Sequence, residues 1–176
     1  MYHVTTKGCA KRDIFLDDAD RVAFETILAE VIRRYAWSCE AFCLLPTHFH
    51  LMVTTPGADL AAGMQRLNGL YASTFNYRHN SEGHLFFRRY GSRFIQTESH
   101  QLEVYRYIAL NPVRAGLCEH PADWLWSSYA EAIGARSPRT FVDSASLLSM
   151  FGTNLQLARS RFQVFVEDGM ADEDKA

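Results

Sequence analysis

The sharpest periodic signal in the chain is the alternation around its paired histidines. Along Pro46-Thr47-His48-Phe49-His50-Leu51-Met52-Val53, a strand would send successive side chains to opposite faces. Phe49 and Leu51 then enter a core, while His48 and His50 stand side by side on the other face. Residues 37–45 (Trp-Ser-Cys-Glu-Ala-Phe-Cys-Leu-Leu) form a preceding strand that Pro46 breaks, and the two make a tight antiparallel pair. Tyr2–Thr6 alternate weakly and stop at Gly8, which gives a first strand. Elsewhere helical spacing takes over. Asp17 or Asp18 caps a helix carrying Phe24, Ile27, Leu28, Val31, Ile32 and Tyr35, and Asp59 opens another with Leu60, Met64, Leu67, Tyr71 and Phe75 on one stripe. A turn at Gly83 leads into residues 86–95, a hairpin or a loop followed by a strand. Ser99 caps a third helix, and Pro112 stops it.

That third helix has two distinct faces. Leu102, Tyr105 and Ala109 cluster toward a core, and Tyr107 with Asn111, four residues apart, lies roughly opposite them. Residues 121–134 hold Trp124, Trp126 and Tyr129, an aromatic plug with a short helix that belongs to the core rather than to a ligand surface. Residues 135–142 read as a linker. Asp143 caps a short helix ending at Gly152, and residues 154–167 make a last helix before an acidic, disordered tail. The expected class is α+β: an antiparallel sheet with helices packed mainly on one face, and a small helical C-terminal extension. The expected organisation is a domain over 1–134, a linker over 135–142 and the extension over 143–176.

Composition narrows the class without naming a function. A 176-residue chain that is 48% hydrophobic suits one domain with a real core. No apolar run is long enough to cross a bilayer, and no basic-then-apolar leader opens the chain, so a cytoplasmic protein without a membrane partner is expected. Cys9, Cys39, Cys43 and Cys118 lack zinc-finger spacing and are expected as free, buried thiols. Net charge is −2, but the charge is uneven: residues 1–12 hold Lys7, Lys11 and Arg12 and no acid, and residues 60–118 carry seven arginines against Glu82, Glu98 and Glu103. The positive segments hold the candidate chemistry or adjoin it, which is the footprint of a nucleic-acid enzyme.

The candidate chemistry rests on four residues. Two imidazoles, His48 and His50, with the amide oxygen of Asn111, could hold a divalent cation, and Tyr107 beside that cation is a nucleophile. The combination suggests cleavage of a phosphodiester through a covalent tyrosine link. A free phenol ionises near ~10, so a tyrosine nucleophile needs help at neutral pH, and a cation that polarises the phosphate would supply it. Around this set, Arg88, Arg89 and Arg93 interleave with Tyr90 and Phe94, a pattern that could grip phosphates and stack a base. Lys7, Lys11 and Arg12 are further phosphate candidates. Arg78 either contacts DNA or favours the dipole at its helix end, and Arg114 either binds phosphate or caps a loop.

Several segments together resemble the REP-associated tyrosine transposases, a branch of the single-tyrosine HUH (histidine–hydrophobic–histidine) transposases. They are Tyr2-His3-Val4-Thr5-Thr6-Lys7-Gly8, Pro46–Leu51, Leu67-Asn68-Gly69-Leu70-Tyr71, Phe75-Asn76-Tyr77-Arg78-His79, Gly83-His84-Leu85-Phe86, Tyr107–Leu117 and Trp126-Ser127-Ser128-Tyr129. The resemblance spans residues 2–134. It implies a ferredoxin- or RRM-like antiparallel sheet bearing the histidine pair, with the tyrosine on a nearby helix. It also implies cleavage of single-stranded DNA beside a hairpin from a repetitive extragenic palindrome. His48 and His50 would then ligate Mg²⁺ or Mn²⁺, Tyr107 would be the nucleophile leaving a 5′-phosphotyrosine, and Asn111 matches a third ligand that is glutamine in related enzymes. Thr47, Ala109, Gly91 and Phe87-Arg88 depart from the pattern of many relatives, which bears on DNA contacts rather than on the catalytic set. A monomer or homodimer is expected. The alternative is a non-catalytic nucleic-acid-binding regulator derived from such an enzyme.

Overall fold

The computed structural model of the chain describes residues 1–171. Its frame is a β-α-β-β-α-β unit: β1 (Tyr2–Lys7), α1 (Asp18–Tyr35), β2 (Ser38–Leu45), β3 (His48–Thr54), α2 (Leu60–Arg78) and β4 (Gly91–Phe94). The strands lie in the order β2-β3-β1-β4 with every neighbouring pair antiparallel, which is the ferredoxin-like arrangement expected. After the sheet come α3 (Glu98–Arg114), α4 (Tyr129–Ala132), α5 (Ala145–Ser149) and α6 (Leu155–Ala171).

Strand alternation divides the side chains into two cores. Val4, Phe42, Leu44, Phe49, Leu51 and Val53 face α1 and α2, where they meet Phe24, Leu28, Met64, Leu67, Tyr71 and Phe75. Ala41, Cys43, Leu45 and Met52 face α3 and the C-terminal helices, where they meet Tyr105, Ile108, Tyr129, Leu147 and Phe162. A bulge between Cys39 and Ala41 resets the phase of β2, so Cys39 joins the first core although it lies two residues before Ala41. The helices expected mainly on one face therefore cover parts of both, with α1 and α2 below the sheet and α3 to α6 above it. The reason is β2, which is buried on both faces from Cys39 to Leu45 and, Glu40 apart, apolar.

Helix ends explain two differences from the expected boundaries. Asp17 caps α1, accepting from Asp20 N at 2.8 Å. Thr97, not Ser99, caps α3 by accepting from His100 N at 3.2 Å. Pro112 does not stop that helix: it sits in the last turn, where only one intrahelical bond is lost, and the helix runs on to Arg114. The chain then reverses through Gly116, whose φ of +66° is a left-handed conformation open to glycine. Asp59 precedes α2 but its side chain makes no cap bond; its carboxylate accepts from Trp37 Nε1 at 2.9 Å instead.

Residues 135–142, expected as a linker, are part of the packed unit. Val142 bridges Cys39 in parallel along the outer edge of β2, and Asp143 N donates to Cys39 O at 2.8 Å. Arg139 donates to Glu25 and to the buried Glu131, and covers the Phe42 ring at 5.1 Å. Just before this segment, Leu44 N donates to Trp126 O at 2.8 Å and Trp124 Nε1 to Leu44 O at 3.1 Å, closing the rest of that edge. The aromatic plug is thus core, as expected. α6 also shares the α3 core through Phe162 and Val166, so no break in packing separates residues 1–134 from the C-terminal helices. The last helix, expected to end at residue 167, runs on to Ala171, and the rest of the expected acidic tail lies outside the described residues. Cys9, Cys39, Cys43 and Cys118 are free; Cys39 and Cys43 are buried, while Cys9 and Cys118 are half-exposed. Among the described residues no helix is long and apolar enough to cross a membrane.

Candidate active site

The upper face of the sheet is apolar under α3 and polar beside it. His48 and His50 project from β3 on that face, because Phe49 and Leu51 take the opposite, buried positions. β1 pairs antiparallel with β3, placing Thr5 opposite His50 and His3 opposite Met52. His3 and His50 are therefore diagonal neighbours on one face, with rings stacked at 5.2 Å and His3 Nε2 3.0 Å from His50 Nδ1. The rings of His48 and His50 lie 5.0 Å apart. Thr47 Oγ1 sits 3.0 Å from His48 Nδ1. Both β3 imidazoles are thus held through Nδ1.

Helix α3 completes the site. Tyr105 is buried and its hydroxyl donates to Glu40, whereas Tyr107, two residues on and 39% exposed, turns to the histidines. The Tyr107 ring stands edge-on to His50 at 5.3 Å and to His3 at 5.8 Å, and the Arg114 guanidinium lies 5.5 Å from its centre. Asn111, one turn on, is buried; its Nδ2 donates to Tyr107 O at 2.7 Å, which leaves the amide oxygen as its remaining acceptor. The expected quartet of His48, His50, Tyr107 and Asn111 comes from one strand and one helix turn, as the spacing implied.

Burial keeps these imidazoles neutral. It lowers the His50 pKa far below the ordinary histidine value, with His3, His48 and Lys7 adding repulsion. It lowers His3 to about 4, with help from His100 and Arg93, and lowers His48, with help from Lys7. A neutral imidazole is the form that binds metal. His50 Nε2 is moreover buried with no hydrogen-bond partner, a lone polar atom that a cation would satisfy. Among the described residues no group of three His, Cys, Asp or Glu side chains comes together as a metal site. The groups here that could hold a divalent ion are the His48 and His50 imidazoles on β3 and, from α3, the amide oxygen of Asn111.

A cleft of about 350 Å³ opens beside Tyr107, lined by His3, Arg93, His100, Glu103, Val104, Arg106, Tyr107 and Arg114. Arg106 is engaged elsewhere, donating to Phe165 O at 3.1 Å and stacking 3.8 Å over the Phe165 ring. Arg93 pairs with His3 across β1–β4 and is exposed, so it and Arg114 flank the tyrosine with positive charge.

A second positive surface forms from two segments that lie far apart along the chain. Gly8 bridges Phe86, Cys9 N donates to Leu85 O at 2.9 Å, and Phe87 N donates to Lys7 O at 3.0 Å. These bonds join the residues leading into Arg88 and Arg89 to Lys7–Cys9, just ahead of Lys11 and Arg12 along the chain. Arg88 and Arg89 are exposed, whereas Arg12 is half-buried, donating to Ser81 Oγ at 3.3 Å and stacking 5.7 Å from the Phe75 ring. Tyr90 packs partly into the lower core, and the aromatic that stands out to solvent in this loop is Phe87, 66% exposed. Its exposure was invisible in a run of two phenylalanines, one of which had to be core. Arg78 is placed elsewhere: it forms ion pairs with Asp17 and the buried Asp20 at the start of α1, which makes it a brace between α1 and α2.

Residues 1–111 match the family described as IS200-like transposases. One solved structure, described as a REP-associated tyrosine transposase bound to a REP hairpin, superposes with a TM-score of 0.66 at 17% identity, covering 82% of this chain and 86% of that one. A second, a candidate transposase from Deinococcus radiodurans R1, gives 0.46 at 18% identity over 61% of this chain and 86% of that one. At such identities the first likeness shows a shared fold. No protein of curated function matches the chain.

Proposed function

The chain belongs to the IS200-like transposase family, and we propose on that premise that it nicks and rejoins single-stranded DNA beside a hairpin, through a covalent 5′-phosphotyrosine on Tyr107. The observation that carries the proposal is the seat of Tyr107: the half-exposed tyrosine of α3 stands edge-on to His50, whose buried Nε2 has no partner. A tyrosine serving only to pack would be turned inward as Tyr105 is.

In the proposed reaction the Tyr107 oxygen attacks the phosphorus of a backbone phosphodiester and gives its proton to solvent. The P–O3′ bond breaks, the 3′ oxygen leaves and takes up a proton, and the 5′ phosphate stays on the tyrosine. Attack by another 3′-OH reverses the step and joins strands, so the covalent link conserves the bond energy without ATP. Arg93 and Arg114, which flank the cleft, would neutralise the charge that develops on the phosphate. His48 and His50, with Asn111, would hold Mg²⁺ or Mn²⁺, which when bound supplies Lewis-acid polarisation of the phosphoryl oxygens. The Asn111 bond to the Tyr107 carbonyl ties the third ligand to the nucleophile's own helix turn.

The solved neighbour is bound to a REP hairpin, and a hairpin with a single-stranded flank is the substrate that suits this surface. The Lys7–Arg12 segment and the Arg88–Arg89 loop form a basic strip along the sheet end, and exposed Phe87 could stack an unpaired base. Nothing in an antiparallel sheet with one helix-borne tyrosine would open a duplex. The test is to incubate the protein with Mn²⁺ and end-labelled hairpin DNA carrying single-stranded flanks, then run denaturing gels. A protein–DNA adduct with the hairpin and none with the blunt duplex is expected; cutting of duplex alone, or no adduct with any hairpin taken from beside its gene, would overturn the proposal.

A further inference from the structure

We infer that His3 is a positioning residue for His50, accepting the His50 Nδ1 proton on its own Nε2 and so fixing the tautomer in which His50 Nε2 carries a lone pair toward the active site. The inference rests on the reading of His48 and His50 as metal ligands.

The geometry leaves one proton to share across the 3.0 Å contact between His3 Nε2 and His50 Nδ1. If His3 donated, His50 would carry its proton on Nε2, an atom that is buried without any acceptor. That is the costlier arrangement, because a buried N–H without a partner loses its whole solvation. If His50 donates, its Nε2 is a bare lone pair, and a cation satisfies it. Metal-binding histidines regularly give their second ring proton to a carboxylate, carbonyl or water, which orients the ring and raises its basicity. Here no carboxylate takes that place, and the hydrogen-bond partner of His50 Nδ1 is the second imidazole.

His3 is not itself a third ligand in this arrangement. Its Nε2 is committed to His50, and among the described residues no three such side chains converge on one point. It does touch the nucleophile: the Tyr107 ring stands edge-on to both imidazoles, and His3 lines the cleft beside that tyrosine. The stacked pair therefore sets the ligand's orientation and the seat of Tyr107 together. β1 supplies this residue because the antiparallel register puts Thr5 opposite His50, one diagonal step from His3.

Ring-nitrogen NMR of metal-free protein labelled with ¹⁵N-histidine reads the tautomer directly, with assignments from single-histidine variants. His50 should be protonated at Nδ1 in the wild type and should become a tautomer mixture in His3→Leu. Mn²⁺ affinity, followed by electron paramagnetic resonance, should fall about 10–100-fold in His3→Leu and recover most of that in His3→Gln, whose amide oxygen keeps an acceptor near Nδ1. Should His3→Leu fail to fold, the wild-type spectrum and His3→Gln still decide. Protonation of His50 at Nε2 in the wild type, or a folded His3→Leu that binds Mn²⁺ as tightly as the wild type, would overturn the inference. A wild type that binds no Mn²⁺ at all, with the expected tautomer intact, would instead remove the metal reading and leave the His3–His50 pairing standing.

Discussion

The hydroxyl of Tyr105 donates to Glu40 Oε2, joining α3 to the bulge of β2, and this bond fixes which side of the helix meets the histidines. Glu40 is buried and also accepts from Thr54 Oγ1 at 2.9 Å. With Tyr105 held inward, Tyr107 is rotated out of the core and onto the imidazole face.

Replacing Tyr105 with Phe should therefore destabilise the protein without removing its chemistry. The Glu40 carboxylate would lose a donor inside the core, a loss of about 1–3 kcal/mol. Urea unfolding should show the shift, and the variant should still form a covalent DNA adduct at temperatures where it is folded. A dead but fully stable variant would mean that the two tyrosines have been given each other's roles.

His48→Ala and His50→Ala should each abolish both DNA cleavage and tight Mn²⁺ binding, and EDTA should do the same to the wild type. Asn111→Ala should cost less and respond to excess Mn²⁺, since a neutral amide is the weaker donor and its Nδ2 also serves the Tyr107 carbonyl. Calorimetry with Mn²⁺ beside a cleavage assay separates these outcomes, and full cleavage in EDTA would contradict the metal role.

The arginines should divide by their partners. Arg88→Glu with Arg89→Glu should weaken hairpin binding and flatten its salt dependence by roughly 0.7 in log–log slope for each phosphate no longer neutralised. Arg78→Ala should instead lower the melting temperature, because it strips buried Asp20 of its guanidinium, leaving it hydrogen-bonded among the described residues to His79 and Leu16 N. Fluorescence anisotropy across a salt series, together with thermal unfolding of each variant, measures both. Equal salt slopes for Arg88→Glu/Arg89→Glu and wild type would remove that loop from the DNA surface.

Phe87→Ala should reduce affinity for the single-stranded flank by about 1–3 kcal/mol if a base stacks on it. It should leave stability unchanged, since the ring is two-thirds in solvent. Tyr90→Ala should do the reverse, because Tyr90 packs on the lower core. Affinity for the hairpin and melting temperature, measured on both variants, would show the opposite pattern if Tyr90 rather than Phe87 stacked the base.

The placement of the candidate site residues was legible in the sequence because it is local. A period of two puts His48 and His50 on one face, and a four-residue step puts Tyr107 and Asn111 on another, whatever the rest of the chain does. What the sequence hid is what depends on distant partners. His3 is a lone histidine until the β1–β3 register sets it beside His50, forty-seven residues away. Arg78 looks free until Asp17 and Asp20 arrive from α1. Residues 135–142, with Ser, Pro, Arg and Thr, have the composition of a loop, yet Arg139 ties them to Glu25 across 114 residues. Thr97 and Ser99 both have the chemistry of a cap, and only the folded chain shows that it is Thr97 whose hydroxyl accepts from His100 N.

Whether Tyr107 carries DNA covalently is decided by peptide mapping. Protein incubated with Mn²⁺ and a short hairpin oligonucleotide is digested with protease and nuclease, and the residue bearing the phosphonucleotide is located by mass spectrometry. A phosphonucleotide on Tyr107 is expected in the wild type, and no adduct from Tyr107→Phe although that variant binds the hairpin nearly as well. An adduct on any other residue, or one that persists in Tyr107→Phe, would contradict the assignment of Tyr107 as the nucleophile.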